Sequence, residues 1–167
     1  MSKYKLTDDT VTLKNGKVLH RIRALEDFGR VKAGDLGGYI QSEDNLSHEG
    51  DCWVFDNARV FEDSWVYEDA WVFDNARVFD NAKVYGKAWV YGDAEVYGNA
   101  RVFGDAWVYE DAEVYGDAEV FDTAEVHRNA RVFEDAWVFG DAKVYRDAKV
   151  YGDAKVRGNV AGGMVYE

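Results

Sequence analysis

Ala94-Glu95-Val96-Tyr97-Gly98-Asn99 is one copy of the six-residue phrase that decides the fold of this 167-residue chain. Its slots are small residue, variable residue, Val, aromatic, turn, turn, and from Val54 to Val156 they return eighteen times without interruption. A hexad is too short to bury a face alone, so the units must wind and stack into a parallel β-helix, an all-β solenoid. Recurrence at eighteen residues sets three hexads per coil. Trp53, Trp71, Trp89 and Trp107 are spaced by eighteen in one slot, whereas Trp65 and Trp137 fall in another register. The spacing predicts about six regular coils, which at a strand separation of about 4.8 Å make a rod roughly 29 Å long.

Parity decides which side chains enter the core, because successive residues of a strand point to opposite sides. Ala and Val share one parity; the variable slot and the aromatic share the other. The variable slot holds Arg59, Arg77, Lys83, Glu95, Arg101 and Glu113, which a narrow dry interior would admit only at heavy desolvation cost. Ala and Val therefore face inward, and β-branched Val suits both the pleat and a core of constant width. The Phe and Tyr column faces outward unless the chain kinks after Val. Cys52 stands alone in the inward small-residue slot, which makes it a buried small hydrophobe and excludes a disulfide framework.

The last slot of each hexad is Asp or Asn, with Lys87 and Thr123 the two exceptions. Asp and Asn tolerate left-handed backbone and bond to nearby amides, so these positions read as corner formers. The chain has no Pro, consistent with coils whose amides must each donate to a neighbour.

Upstream of the repeat, Thr10-Val11-Thr12-Leu13 and Val18-Leu19-His20-Arg21-Ile22-Arg23-Ala24-Leu25 alternate around Asn15-Gly16, a hairpin signal. The expected organisation is an N-terminal β-hairpin cap over 1–45 and a β-solenoid over 46–167, ending in a short tail after Val156. Met1-Ser2-Lys3-Tyr4 has no signal-peptide pattern, and no apolar run is long enough to span a membrane, which predicts a cytoplasmic protein.

The segment Gly34-Asp35-Leu36-Gly37-Gly38-Tyr39-Ile40 through Asn45-Leu46-Ser47, followed by Ala-x-Val-aromatic hexads, resembles the YdcK-like hexapeptide-repeat proteins of bacteria and their phages. The resemblance covers nearly the whole chain and implies a left-handed β-helix. It also carries an acyltransferase label that rests on fold analogy. Hexapeptide-repeat acyltransferases use a His base beside an acyl-CoA groove, helped by an excursion loop and a C-terminal helix, neither of which the sequence contains. His20 lies in the cap and His48 precedes the regular repeat. His127 occupies an aromatic slot, where it reads as one more flat ring between Tyr109 and Tyr145 and as a weak acyltransferase candidate. The expectation is a protein without catalysis or cofactor.

No metal is expected either, because corner geometry accounts for the Asp columns and the Gly-rich calcium nonapeptide of β-helices is missing. Residues 46–167 hold twelve Lys or Arg against twenty-five Asp or Glu, whereas residues 1–45 hold eight against seven. That is one net negative charge per ~2.2 Å of rod, near the ~1.7 Å of duplex DNA, and it makes an acidic decoy of a basic nucleic-acid-binding protein the second functional reading. The chain has no basic aromatic surface for binding nucleic acid directly. Lys143, Arg146, Lys149, Lys155 and Arg157 gather in the last coil, where they blunt an open sheet edge. The first functional reading rests on one face, where Trp53, Trp71, Trp89 and Trp107 lie beside Phe55, Phe73, Tyr91 and Tyr109. Eight aromatics on four levels predict an interface with a second copy of the chain or another protein.

Overall fold

The computed structural model describes residues 1–167, and the hexads form the coils the spacing predicts. Each contributes a short strand built on its variable residue and its Val, from Trp53–Val54 to Lys155–Val156, two residues long except for Lys143–Tyr145 and Lys149–Tyr151. Strands from Trp53–Val54 to Trp137–Val138 pair in parallel with the one eighteen residues on, as in Val54 with Val72 and Val96 with Val114. Three sheets result, of ten, seven and six strands. Every Ala from Ala58 to Ala148 and every Val from Val54 to Val150 is fully buried. Ser64, which replaces Ala in one small slot, satisfies its buried hydroxyl by donating to the Phe61 and Val78 carbonyl oxygens at 2.7 and 3.1 Å.

The strands stop after Val because the chain turns there. The aromatic carbonyl accepts from the Ala amide three residues on, as in Phe55 and Ala58 at 3.1 Å, which closes a four-residue turn. Its second residue is left-handed, with φ between 53 and 61° at Asp56, Glu62, Asp74, Asp122 and six other non-glycine positions. This corrects the corner assignment by one slot: the left-handed residue precedes the Asp/Asn column. Gly takes this position in seven other hexads, with φ between 63 and 69°. Where Asp or Glu stands instead, at every such corner but Glu110, its carboxylate accepts the same-slot amide one coil up, as Asp122 does from Gly140 at 3.0 Å and Glu134 from Gly152 at 2.9 Å. The Asp/Asn column has a different task. Asn75, Asn99 and Asn129 donate to Asp93, Asp117 and Asp147 of the next coil at 2.9–3.2 Å.

At the base, β1 (Tyr4–Thr12) and β2 (Val18–Ala24) form the expected antiparallel hairpin, with a bulge between Leu6 and Thr10 and a left-handed Gly16 in the turn. Lys17 at its tip ion-pairs with Glu62 of the rod. A third strand follows, β3 (Leu36–Ile40), antiparallel to β2 and parallel to Arg59–Val60. It therefore joins cap and rod in one ten-stranded sheet across residue 45. Gly37 and Gly38 permit this, because a Cβ on either would stand 2.5–2.6 Å from the Val54 or Ala58 carbonyl oxygen. Asn45, fully buried in a short 3-10 turn, takes over from the coil missing below. It donates to the Glu62 and Ser64 carbonyls at 2.9 Å and accepts from the Gln41 and Ser42 amides.

The tail also continues the solenoid. Val160–Ala161 and Met164–Tyr166 extend two of the three sheets, making about seven levels. Val150 pairs with Val165, fifteen residues on, so the last turn is shortened. No helix is long and apolar enough to cross a membrane.

Candidate protein-binding face

The seven-stranded sheet holds the Trp column in its variable slots, so the four indoles lie on successive levels of one face. Trp71, Trp89 and Trp107 stack with planes 3° apart and centroids separated by 5.4 and 5.1 Å. Trp53 departs from the expectation. It is 1% exposed, enclosed by Phe28 at 5.3 Å and Tyr4 at 6.0 Å, because the hairpin cap folds over the first level. The available column is three indoles long.

Phe55, Phe73, Tyr91 and Tyr109 stand beside it as expected, but nearly at right angles. Phe55 meets Trp71 edge-on at 5.3 Å, Phe73 meets Trp89 at 5.8 Å and Tyr91 meets Trp107 at 6.4 Å. Stacking occupies ring faces and leaves half-buried edges toward solvent, so the surface is ridged rather than a flat sheet of ring faces. Trp107 is the most open of the eight at 37%. Trp65 and Trp137, on the six-stranded face, are equally open at 39% and 38%, so exposed indoles are not confined to one side. Trp137 lies under the Lys155 ammonium at 4.9 Å.

A groove of about 530 Å³ runs along the Trp column, with Trp71, Trp89, Trp107 and Glu125 on one side and Asp51, Asp69, Lys87, Asp105 and Thr123 on the other. Trp71 is tied at its lower end, where its Nε1 donates to the Asp51 carbonyl at 3.2 Å and the Arg30 guanidinium covers its ring at 5.6 Å. Above Trp107, Glu125 accepts from the Tyr109 hydroxyl at 3.0 Å and pairs with Lys143 at 3.2 Å. Burial, then the bond and charge of Glu125, push the Tyr109 hydroxyl well above the ordinary phenol range. On the ten-stranded face, Arg77 pairs with Glu95 and Arg131 with Glu113, the cross-level ion pairs that the charge pattern of that column suggests.

His127 lies where its slot places it, stacked between Tyr109 at 4.7 Å and Tyr145 at 5.3 Å. Its Nδ1 is 3.7 Å from Glu110. Burial lowers its pKa from the usual imidazole value, against the opposing pull of Glu110 and Glu125. No three His, Cys, Asp or Glu side chains gather closely enough to hold a metal ion.

One buried arrangement had no signal in the repeat. Lys3 is 1% exposed, and its Nζ donates to the Gly50 and Cys52 carbonyls at 3.1 and 2.8 Å and lies 3.3 Å from Cys52 Sγ. Burial pushes the Cys52 thiol upward, with Lys3 pulling the other way. This ammonium pins the first cap strand to the first coil.

The fold and its ladders define a hexapeptide-repeat β-solenoid. Comparison with known sequences agrees: a family model for the YdcK beta solenoid repeat matches residues 94–110. The uncharacterized acetyltransferase YdcK of Escherichia coli K12 is 38% identical over 69 residues, 36% of this chain. Over these repeats the chain is similar to YdcK, and it spans 21% of that relative's length.

Proposed function

We propose that this protein is a non-catalytic binding rod that engages a protein partner, a second copy or another polypeptide, through Trp71, Trp89 and Trp107 with Phe73, Tyr91 and Tyr109. One observation carries the reading. The variable slot points outward and is filled by Lys, Arg or Glu on most levels, yet three successive levels of one face place indoles there beside a groove. Stacking within the rod is already served by the Phe and Tyr columns on every side, so the Trp ladder adds apolar surface that coil stability does not require. Light scattering across a salt series tests self-association, and Trp71→Glu with Trp89→Glu tests the face. An oligomer whose mass the double variant leaves unchanged removes this interface.

Acyl transfer is the reading favoured by the name of the Escherichia coli relative. In this chain it would fall to His127, whose side chain is 15% exposed between two tyrosine rings. Calorimetric titration with acetyl-CoA separates the two. A saturable site that His127→Phe abolishes would replace the binding-rod reading; heat only of dilution supports it. The acidic decoy reading is separated by competition, since a decoy displaces DNA from a basic protein in a salt-sensitive manner.

A further inference from the structure

The rim of the Trp groove has a chemistry that selects among partners. Of the eighteen corners, the two without Asp or Asn, Lys87 and Thr123, both belong to this rim. Thr123 behaves as Asn does elsewhere, its hydroxyl donating to Asp141 on the next level at 2.5 Å. Lys87 forms no ion pair within 4.0 Å, though Asp69 and Asp105 occupy the levels below and above. The groove sets the carboxylates of Asp51, Asp69, Asp105 and Glu125 against the Lys87 ammonium within it and Lys143, which pairs with Glu125 from the level above.

The ends of the aromatic ladders show what kind of guest they accept. The open face of Trp71 is covered by Arg30, and Trp137 by Lys155. Trp107 differs. Its lower face stacks on Trp89, while the level above holds Glu125 instead of a further ring or a cation, and Asp105 lies beside it. An indole 37% exposed beside two carboxylates is a seat for a guanidinium, which combines attraction to the ring with bonds to oxygen.

We propose that Trp107, Asp105 and Glu125 anchor an arginine of a basic, extended segment in a partner protein, which lies along the groove past Trp89 toward Trp71. This rests on the binding-rod reading and adds the partner's chemistry. Asp105 and Asp69 are two coils apart, about 9.6 Å at the strand spacing, which matches one three-residue turn of a polyproline II segment at ~3.1 Å per residue, whose side chains i and i+3 share a face. Lys87 lies between them and opposes a cation there. The segment thus carries Arg or Lys at every third position with apolar or acidic residues between.

The test uses the full chain and three synthetic peptides of equal length. One carries Arg at every third position and Ala and Pro between; the others replace its Arg by Gln or by Glu. Binding is read by Trp fluorescence and calorimetry at low and physiological salt. The Arg peptide should bind, and Trp107→Ala or Asp105→Asn should each weaken it about tenfold with the circular dichroism of the rod unchanged. Lys87→Ala should tighten it. Equal affinity for the Arg and Gln peptides, or an Asp105→Asn protein that binds like wild type, overturns the proposal. If the Arg peptide does not bind while Trp71→Glu with Trp89→Glu still dissolves an oligomer, the face survives and this occupant falls. If that double variant also changes nothing, both fall.

Discussion

Replacing Asp122 separates the two demands placed on each corner. The residue has φ 60° and its Oδ2 accepts the Gly140 amide at 3.0 Å. Asp122→Ala removes an exposed hydrogen bond, about 1 kcal/mol, and leaves a β-carbon in left-handed backbone without the local bonding that makes Asp tolerant there, adding about 0.5 kcal/mol. Asp122→Gly removes the same bond but relieves about 1 kcal/mol of backbone strain, against 0.5–1 kcal/mol (roughly) of extra chain entropy lost on folding. The expected costs are about 1.5 kcal/mol for Ala and about 1 kcal/mol or less for Gly. Gly should therefore be the milder substitution, the reverse of its rank against Ala inside regular helices and strands. For a chain of this size the Ala variant should melt roughly 3–6 °C below wild type and the Gly variant above the Ala variant. Urea unfolding followed by circular dichroism gives both numbers. A Gly variant less stable than the Ala variant by half a kcal/mol would refute the assignment of the left-handed corner to this slot.

The tyrosines supply an alkaline prediction. Burial raises the pKa of Tyr4, Tyr67, Tyr85, Tyr91, Tyr97, Tyr109 and Tyr115, that of Tyr67 to about 12. A raised folded pKa means that the stability is intact below the unfolded value near 10 and is lost as pH rises through the folded values. Tyrosinate absorbance should thus appear together with loss of the β signal; independent titration near pH 10 in an intact rod would contradict the packing. His127 has the opposite sign of pH dependence, since its lowered pKa makes its contribution fade as pH falls below about 6.5. Its imidazole resonance should titrate below that value, and His127→Phe should keep the ladder and the melting temperature. Cys52, buried with a raised pKa, should react with a thiol reagent only in denaturant. Lys3→Ala should increase its reactivity under native conditions by loosening the first cap strand.

The departures from the expected site have physical causes of different range. Trp53 has the same slot, spacing and following Val-Phe-Asp-Asn as Trp71, but its level is the first, and Phe28 and Tyr4 reach it from the cap. The glycines of the Gly37-Gly38 pair were legible as a motif, yet their role depends on the approach of β3 to the Val54 and Ala58 carbonyls. The burial of Lys3 follows from where β1 lands, forty-nine residues from its partner Cys52. The corner error was local. Asp and Asn filled one slot so regularly that they drew the turn's left-handed residue onto themselves, whereas Glu62, Glu134 and Arg146 occupy the true position without obvious turn character.

By itself the sequence determines the coil. A hexad in which only Ala and Val can enter a dry interior admits one inward parity, and recurrence of Trp at eighteen residues sets three hexads per turn, so register and core follow from short-range constraints repeated eighteen times. Tertiary structure decides what lies above and below: which Trp the cap covers, how Asn45 replaces a missing coil, and where ring faces are already occupied by neighbours one level away. Those features are made by contacts between residues far apart in the chain, at the ends where the repeat no longer supplies its own partner.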